Sequence, residues 1–137
     1  MIERLAEAAG RDVPRETFDR LERFADLLRA ESTRQNLISA STLASLWERH
    51  IVDGAQLVRF EPKPGATWVD IGSGAGLPGI VIAALVSGRV TLVEPRRLRA
   101  EFLRGVVAEL GLNERVSVAP CKAEYSQDGN VSFRRIR

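Results

Sequence analysis

This 137-residue chain has only one cysteine, one histidine, one methionine and one tyrosine. Cys121 cannot form an internal disulfide and lacks the partners of a zinc site, so it reads as a small apolar residue near a strand end. No Ser/His/Asp or Cys/His constellation and no metal site emerge from so sparse a set. Excess charge is missing too. Twenty basic residues face eighteen acidic ones for a net +2, so the whole chain is no basic nucleic-acid-binding tail. Any nucleic-acid contact must come from local arginine clusters. Long apolar runs are also absent: Ile80 to Val86 falls far short of the ~20 residues that span a bilayer. Charge from Glu3 onward argues against a secretory leader. The expectation is a cytoplasmic protein without a membrane partner. An apolar share of 45% suffices for one compact domain with a moderate core.

What is present divides the chain. Phe18, Leu21, Phe24, Ala25 and Leu28 recur at helical spacing and predict an amphipathic helix over 14–30, with Pro14 tolerated in its first turn. Residues 32–41 are polar and read as a loop. A second helix is expected from Ser41 or Thr42 to about Val58. At 100° per residue, its face is Leu43, Trp47, His50, Ile51, Gly54 and Val58. Glu61-Pro62-Lys63-Pro64-Gly65 then excludes helix and marks the clearest boundary. It separates a helical segment, 1–61, from a unit over 66–124.

That second unit reads as βαβαβ. Strands are predicted at Thr67–Ile71, Val90–Val93 and Val116–Ala119, and helices at Leu77–Ser87 and Arg97–Leu110. Gly88 and Gly111 follow the helix ends. Alternation of this kind argues an α/β fold with a parallel sheet and right-handed crossovers.

Between the first strand and its helix runs Asp70-Ile71-Gly72-Ser73-Gly74-Ala75-Gly76-Leu77-Pro78-Gly79. Glycines at alternate positions let the backbone turn sharply and approach a ligand, and the following helix points N–H groups at it. Two enzyme classes use such a turn. A dinucleotide fingerprint needs G-x-G-x-x-G at the strand end. Counted from Gly72, its third glycine falls on Leu77; counted from Gly74, the pattern fits Gly74, Gly76 and Gly79 but begins late and encloses Pro78. Asp70 discriminates further. A carboxylate there would repel a pyrophosphate, whereas it would attract the amino group of a methionine moiety. Glu94, about 20 residues beyond the loop, is placed to accept bonds from ribose hydroxyls in either class.

Further segments go beyond a generic nucleotide turn. Gln35-Asn36-Leu37-Ile38-Ser39, then Trp47-Glu48-Arg49-His50 with Asp53, then Asp70 to Ile80 with its Leu77-Pro78-Gly79 continuation, resemble the glucose-inhibited division protein B family. Arg99-Ala100-Glu101-Phe102-Leu103-Arg104 and Lys122-Ala123-Glu124 continue the likeness, which covers about 14–124. The resemblance implies a Rossmann-like methyltransferase fold with an N-terminal helical extension. It also implies S-adenosylmethionine as cofactor and methylation of a guanine N7 in 16S ribosomal RNA, either free or in a small-subunit assembly intermediate.

Carried over by position, Gly72, Gly74 and Leu77 join Asp70 as cofactor-lining residues. Glu94 becomes the ribose acid, and Ala123 and Glu124 the adenine contacts. Asn36, Arg49, His50 and Asp53 fall on the RNA or methyl-transfer side. Bland alternatives stand beside these: Arg49 and Asp53 are spaced to pair on one helix, His50 suits a satisfied core position, and Asn36 suits a loop bonding its own backbone. Arg96, Arg97, Arg99 and Arg104 are candidates for phosphate contacts, or for a solvated helix face.

The family's sheet has seven strands with the first one central, and three are legible here. From Tyr125 the sequence turns polar and ends with three arginines among its last four residues, unlike a buried strand. The expectation is an incomplete parallel sheet and a divergent tail over 125–137, from a truncated or frame-shifted product. Each apolar side chain left uncovered would forfeit roughly 1.5–3 kcal/mol. An inactive fragment of the enzyme and, less favoured, a nicotinamide-dinucleotide-binding oxidoreductase are the alternatives.

Overall fold

The computed structural model describes residues 1–125 and 131–135. It opens with α1 (Ile2–Ala9), a helix too short for its periodicity to stand out in the sequence. Gly10 ends it at φ 67°, donating its N–H to the Ala6 carbonyl at 2.9 Å. α2 (Arg15–Glu31) starts after an extended Pro14 and buries the predicted face of Phe18, Leu21, Phe24, Ala25 and Leu28.

The second predicted helix is broken. It comprises α3 (Ala40–Ala44), a π-helical turn (Leu46–Ile51), α4 (Val52–Gln56) and a 3₁₀ turn (Leu57–Phe60). Ser39 caps it, two residues before the expected start, its Oγ accepting the Thr42 N–H at 3.1 Å. The 100° spacing fails at the π turn. At that spacing Leu46 would lie roughly 140° from Ile51. Bonds running to the fifth residue instead bring the two to the same side, and both are buried, at 1% and 0% exposure. Ile51, Gly54 and Val58 are buried as predicted, whereas Leu43, Trp47 and His50 are only half-buried.

β1 (Trp68–Ile71), β2 (Val90–Val93) and β3 (Val116–Ala119) form a parallel sheet in the order β1-β2-β3. α5 (Gly79–Leu85) and α6 (Arg97–Glu109) are the crossovers. α5 is shorter than predicted at both ends, starting only after Pro78 and stopping where Val86 becomes extended. The register puts Val90, Leu92 and Val116 on one face, and all three join the helices' apolar residues in a single core cluster. That cluster holds Leu5, Phe24 and Val58 beside Ile80 and Leu103, so one core spans both sides of the proline boundary. Arg11 reinforces the junction, donating to the Val58 carbonyl at 2.9 Å and the Leu85 carbonyl at 3.3 Å.

The other sheet face carries Val69 and Ile71, 47% and 44% exposed, and β1 is an edge strand. Among the described residues, β1 is therefore open along one edge. Beyond β3 the described residues do not extend the sheet. β4 (Cys121–Tyr125) pairs antiparallel with β5 (Val131–Arg135) in a separate two-stranded ribbon. No helix among the described residues is long and apolar enough to cross a membrane.

Candidate active site

The glycine loop leaves β1 and immediately turns back onto β2, where the N–H groups of Gly72 and Ser73 both donate to the Val93 carbonyl, at 2.8 and 3.0 Å. Gly72, Gly74 and Gly76 all have positive φ, at 76°, 54° and 93°, which is why no side chain suits those positions. Their surroundings separate two roles. A Cβ on Gly72 would meet nothing within 4 Å, and one on Gly74 only the Gly72 carbonyl at 3.8 Å, so the crest there is open. A Cβ on Gly76 would press on Ile80 at 2.8 Å, Leu103 at 3.2 Å and Phe24 at 3.3 Å. Gly72 and Gly74 leave room for a ligand, and Gly76 makes room for the core.

Glu94 stands behind the crest at the end of β2. It is 3% exposed, far from a solvated strand end. Its Oε1 accepts the Gly74 N–H at 2.9 Å and its Oε2 the Arg96 N–H at 2.8 Å. Bonds to a charged acceptor are each worth about 1.5–3 kcal/mol, which offsets the burial of the carboxylate. A carboxylate offers about four lone-pair sites, so two remain for further donors.

Asp70 does not rise to the crest. Its carboxyl turns beneath the start of α5, where Oδ2 is buried against Gly79 without a hydrogen-bond partner. Burial holds this carboxyl above its usual pKa; the nearby Ser73 hydroxyl and Gly79 amide, neither of them bonded to Oδ2, pull it back only in part, and the Glu94 charge adds to the rise. Ser73, itself 1% exposed, donates its hydroxyl to the Asp70 carbonyl at 3.0 Å. A buried hydroxyl bracing the loop was legible only as the serine between two glycines.

Arg49, His50 and Asp53 come together with Leu77 and Pro78 around a depression of about 270 Å³. The contact is made by Gly54, where a Cβ would lie 3.2 Å from Pro78. The segment's ion pair among the described residues joins Glu48 to Arg4 at 3.8 Å, not Arg49 to Asp53. Asn36 is not with this group. It lies beside α6, its carbonyl accepting from Arg99 at 3.1 Å, while Gln35 donates to the Leu98 carbonyl at 3.2 Å. Ala123 and Glu124 lie on β4, opposite Phe133 and Ser132. Of the arginines, Arg97 pairs with Glu101 at 3.4 Å, and Arg99 holds Asn36. The exposed side chains of Arg96 and Arg104 have no partner among the described residues.

Comparison with known proteins matches the sequence to one family. The GidB family model, described as rRNA small subunit methyltransferase G, matches residues 17–133, running past Glu124, where the sequence motifs end. A protein named ribosomal RNA small subunit methyltransferase G from Sphingopyxis alaskensis is 49% identical over 110 residues, covering 80% of this chain and 47% of that protein. Its namesake from Rhizorhabdus wittichii is 50% identical over 114 residues, covering 82% and 52%. That from Sinorhizobium fredii is 46% identical over 118 residues, covering 83% and 54%. The chain thus spans about half the length of the curated relatives it matches. With the family model covering most of its residues, the glycine loop and Glu94 included, the chain belongs to the rRNA small subunit methyltransferase G family.

Proposed function

We infer that this site binds S-adenosylmethionine and that the whole protein transfers its methyl group to N7 of a guanine in 16S ribosomal RNA. The observation that carries the reading is the open crest at Gly72 and Gly74 backed by the buried Glu94. Two free lone-pair sites on that carboxylate suit the vicinal hydroxyls of a ribose. The unpartnered Oδ2 of Asp70 suits a cationic donor such as an ammonium group. A dinucleotide is disfavoured by Leu77 at the third glycine position.

When bound, the cofactor supplies a methyl group on a positively charged sulfur. The chain's own part is orientation and charge. Guanine N7 has a lone pair and no proton, so a general base has nothing to remove. Holding the two reactants in line is worth roughly 7–11 kcal/mol of barrier. Arg49, His50 and Asp53, beside Leu77 and Pro78, form the substrate side of the crest, and Arg96 and Arg104 offer guanidinium groups to RNA phosphates.

Tritiated-methyl transfer to undermethylated small subunits tests the reading. Incorporation that is resistant to alkaline phosphatase, maps to a guanine and is released as 7-methylguanine is expected of the whole protein. Incorporation into another base or position would refute it. A second reading is favoured by the open β1 edge: the 137-residue chain binds the cofactor but transfers nothing by itself.

A further inference from the structure

Glu94 is bonded to two turns at once, and only one of them belongs to the glycine loop. Its Oε1 takes the N–H of Gly74; its Oε2 takes that of Arg96, the residue that precedes the first turn of α6. Only Pro95, with its fixed φ, separates Glu94 from Arg96. The beginning of α6 is held on its other side by Arg99, bonded to the Asn36 carbonyl at 3.1 Å. One buried carboxylate therefore ties the cofactor-side turn to the turn that carries an exposed, unpartnered guanidinium.

We propose that Glu94 is a positioning residue that couples the two sides of the site: occupancy of its free lone pairs by a vicinal diol tightens binding of RNA phosphate at Arg96. The proposal rests on the cofactor reading above. Two hydroxyl donors would complete the four-fold capacity of the carboxylate and fix its orientation. Because both oxygens already hold backbone amides, fixing the carboxylate fixes both turns. Arg96 then pays less conformational entropy when it meets a phosphate, which is positive coupling without a large structural change. Linkage makes the effect reciprocal, so RNA must tighten cofactor binding by the same factor.

The test uses the full chain, a small-subunit ribosomal RNA fragment and S-adenosylhomocysteine, which occupies the site without transferring a methyl group. RNA affinity is measured with and without saturating S-adenosylhomocysteine, in the unmodified chain, in Glu94→Gln and in Arg96→Ala. The unmodified chain should bind RNA about 5-fold or more tightly when the cofactor analogue is present, the lower end of ordinary coupling. Glu94→Gln, whose amide nitrogen cannot accept an N–H, should bring that ratio close to one. Arg96→Ala should weaken RNA binding while leaving affinity for the analogue unchanged. A simple structural loss in Glu94→Gln would lower both affinities and leave the ratio in place, which would overturn the proposal. So would equal RNA affinity with and without a bound analogue in the unmodified chain, although the cofactor reading would survive. No binding of the analogue at all would overturn both. Should Glu94→Gln fail to fold, amide exchange in the unmodified chain decides: the analogue must slow exchange at both Gly74 and Arg96, and an effect at Gly74 alone contradicts the coupling.

Discussion

Gly79 packs so closely on Asp70 that a Cβ at position 79 would collide with Asp70 Oδ2 and come within 2.6 Å of Leu92. The first residue of α5 is therefore a glycine for lack of space, since its φ is not positive. Alanine here would gain roughly 1 kcal/mol of helix propensity but incur an overpacking cost of about 1–3 kcal/mol. Gly79→Ala should lower stability on balance and displace the carboxyl. Urea unfolding measures the first, and an unchanged or raised midpoint would contradict the packing.

The Asp70 carboxyl gives a pH signature. Its pKa in the folded chain is raised by burial. Below the unfolded value of 3.8 the group is protonated in both states and costs nothing. As pH rises through that value and then through the folded one, ionisation favours the unfolded chain, so this group's contribution to stability falls. Asp70→Asn has no such loss. The stability of Asp70→Asn relative to the unmodified chain should therefore improve between roughly pH 4 and pH 7. Paired urea titrations across that range check it; a relative stability that declines with pH would reverse the sign.

The glycines of the loop should separate by role. Gly72→Ala incurs the left-handed backbone cost of about 1–2 kcal/mol and meets nothing. Gly76→Ala adds a collision with Ile80, Leu103 and Phe24 to the same backbone cost. Thermal unfolding should show the larger loss for Gly76→Ala. Ligand titration of the folded fraction should show the larger affinity loss per unit of stability for Gly72→Ala.

The π turn makes a claim that the sequence pattern does not. Leu46→Ala should cost about 2–5 kcal/mol, as for a fully buried leucine, and Leu43→Ala clearly less, because Leu43 is only half-buried. Equal costs, or a larger one for Leu43→Ala, would restore the uninterrupted α-helix in denaturant unfolding.

β2 and β3 were readable to the residue, because β-branched runs flanked by polar turns have few alternatives. The glycine loop and Glu94 were readable from residue type and spacing. The register of Leu46 was not, because a fixed 100° advance has no term for an inserted turn residue. Nor was the direction of Asp70, which depends on the space beside Gly79. Asn36 grouped with Arg49 by motif, yet it sits against α6 through Arg99, a contact 63 positions apart in sequence. The ribbon of β4 and β5 was hidden because a polar, arginine-rich stretch is unlike a strand buried on both faces, whereas an antiparallel ribbon needs no such burial.

Isothermal calorimetry of the 137-residue chain with S-adenosylmethionine, and separately with NAD, decides whether the glycine loop and Glu94 form a cofactor site. Saturable binding of S-adenosylmethionine at one site, abolished by Glu94→Ala, is expected, with no saturable heat from NAD. Saturable NAD binding, or S-adenosylmethionine binding indifferent to Glu94, would contradict it.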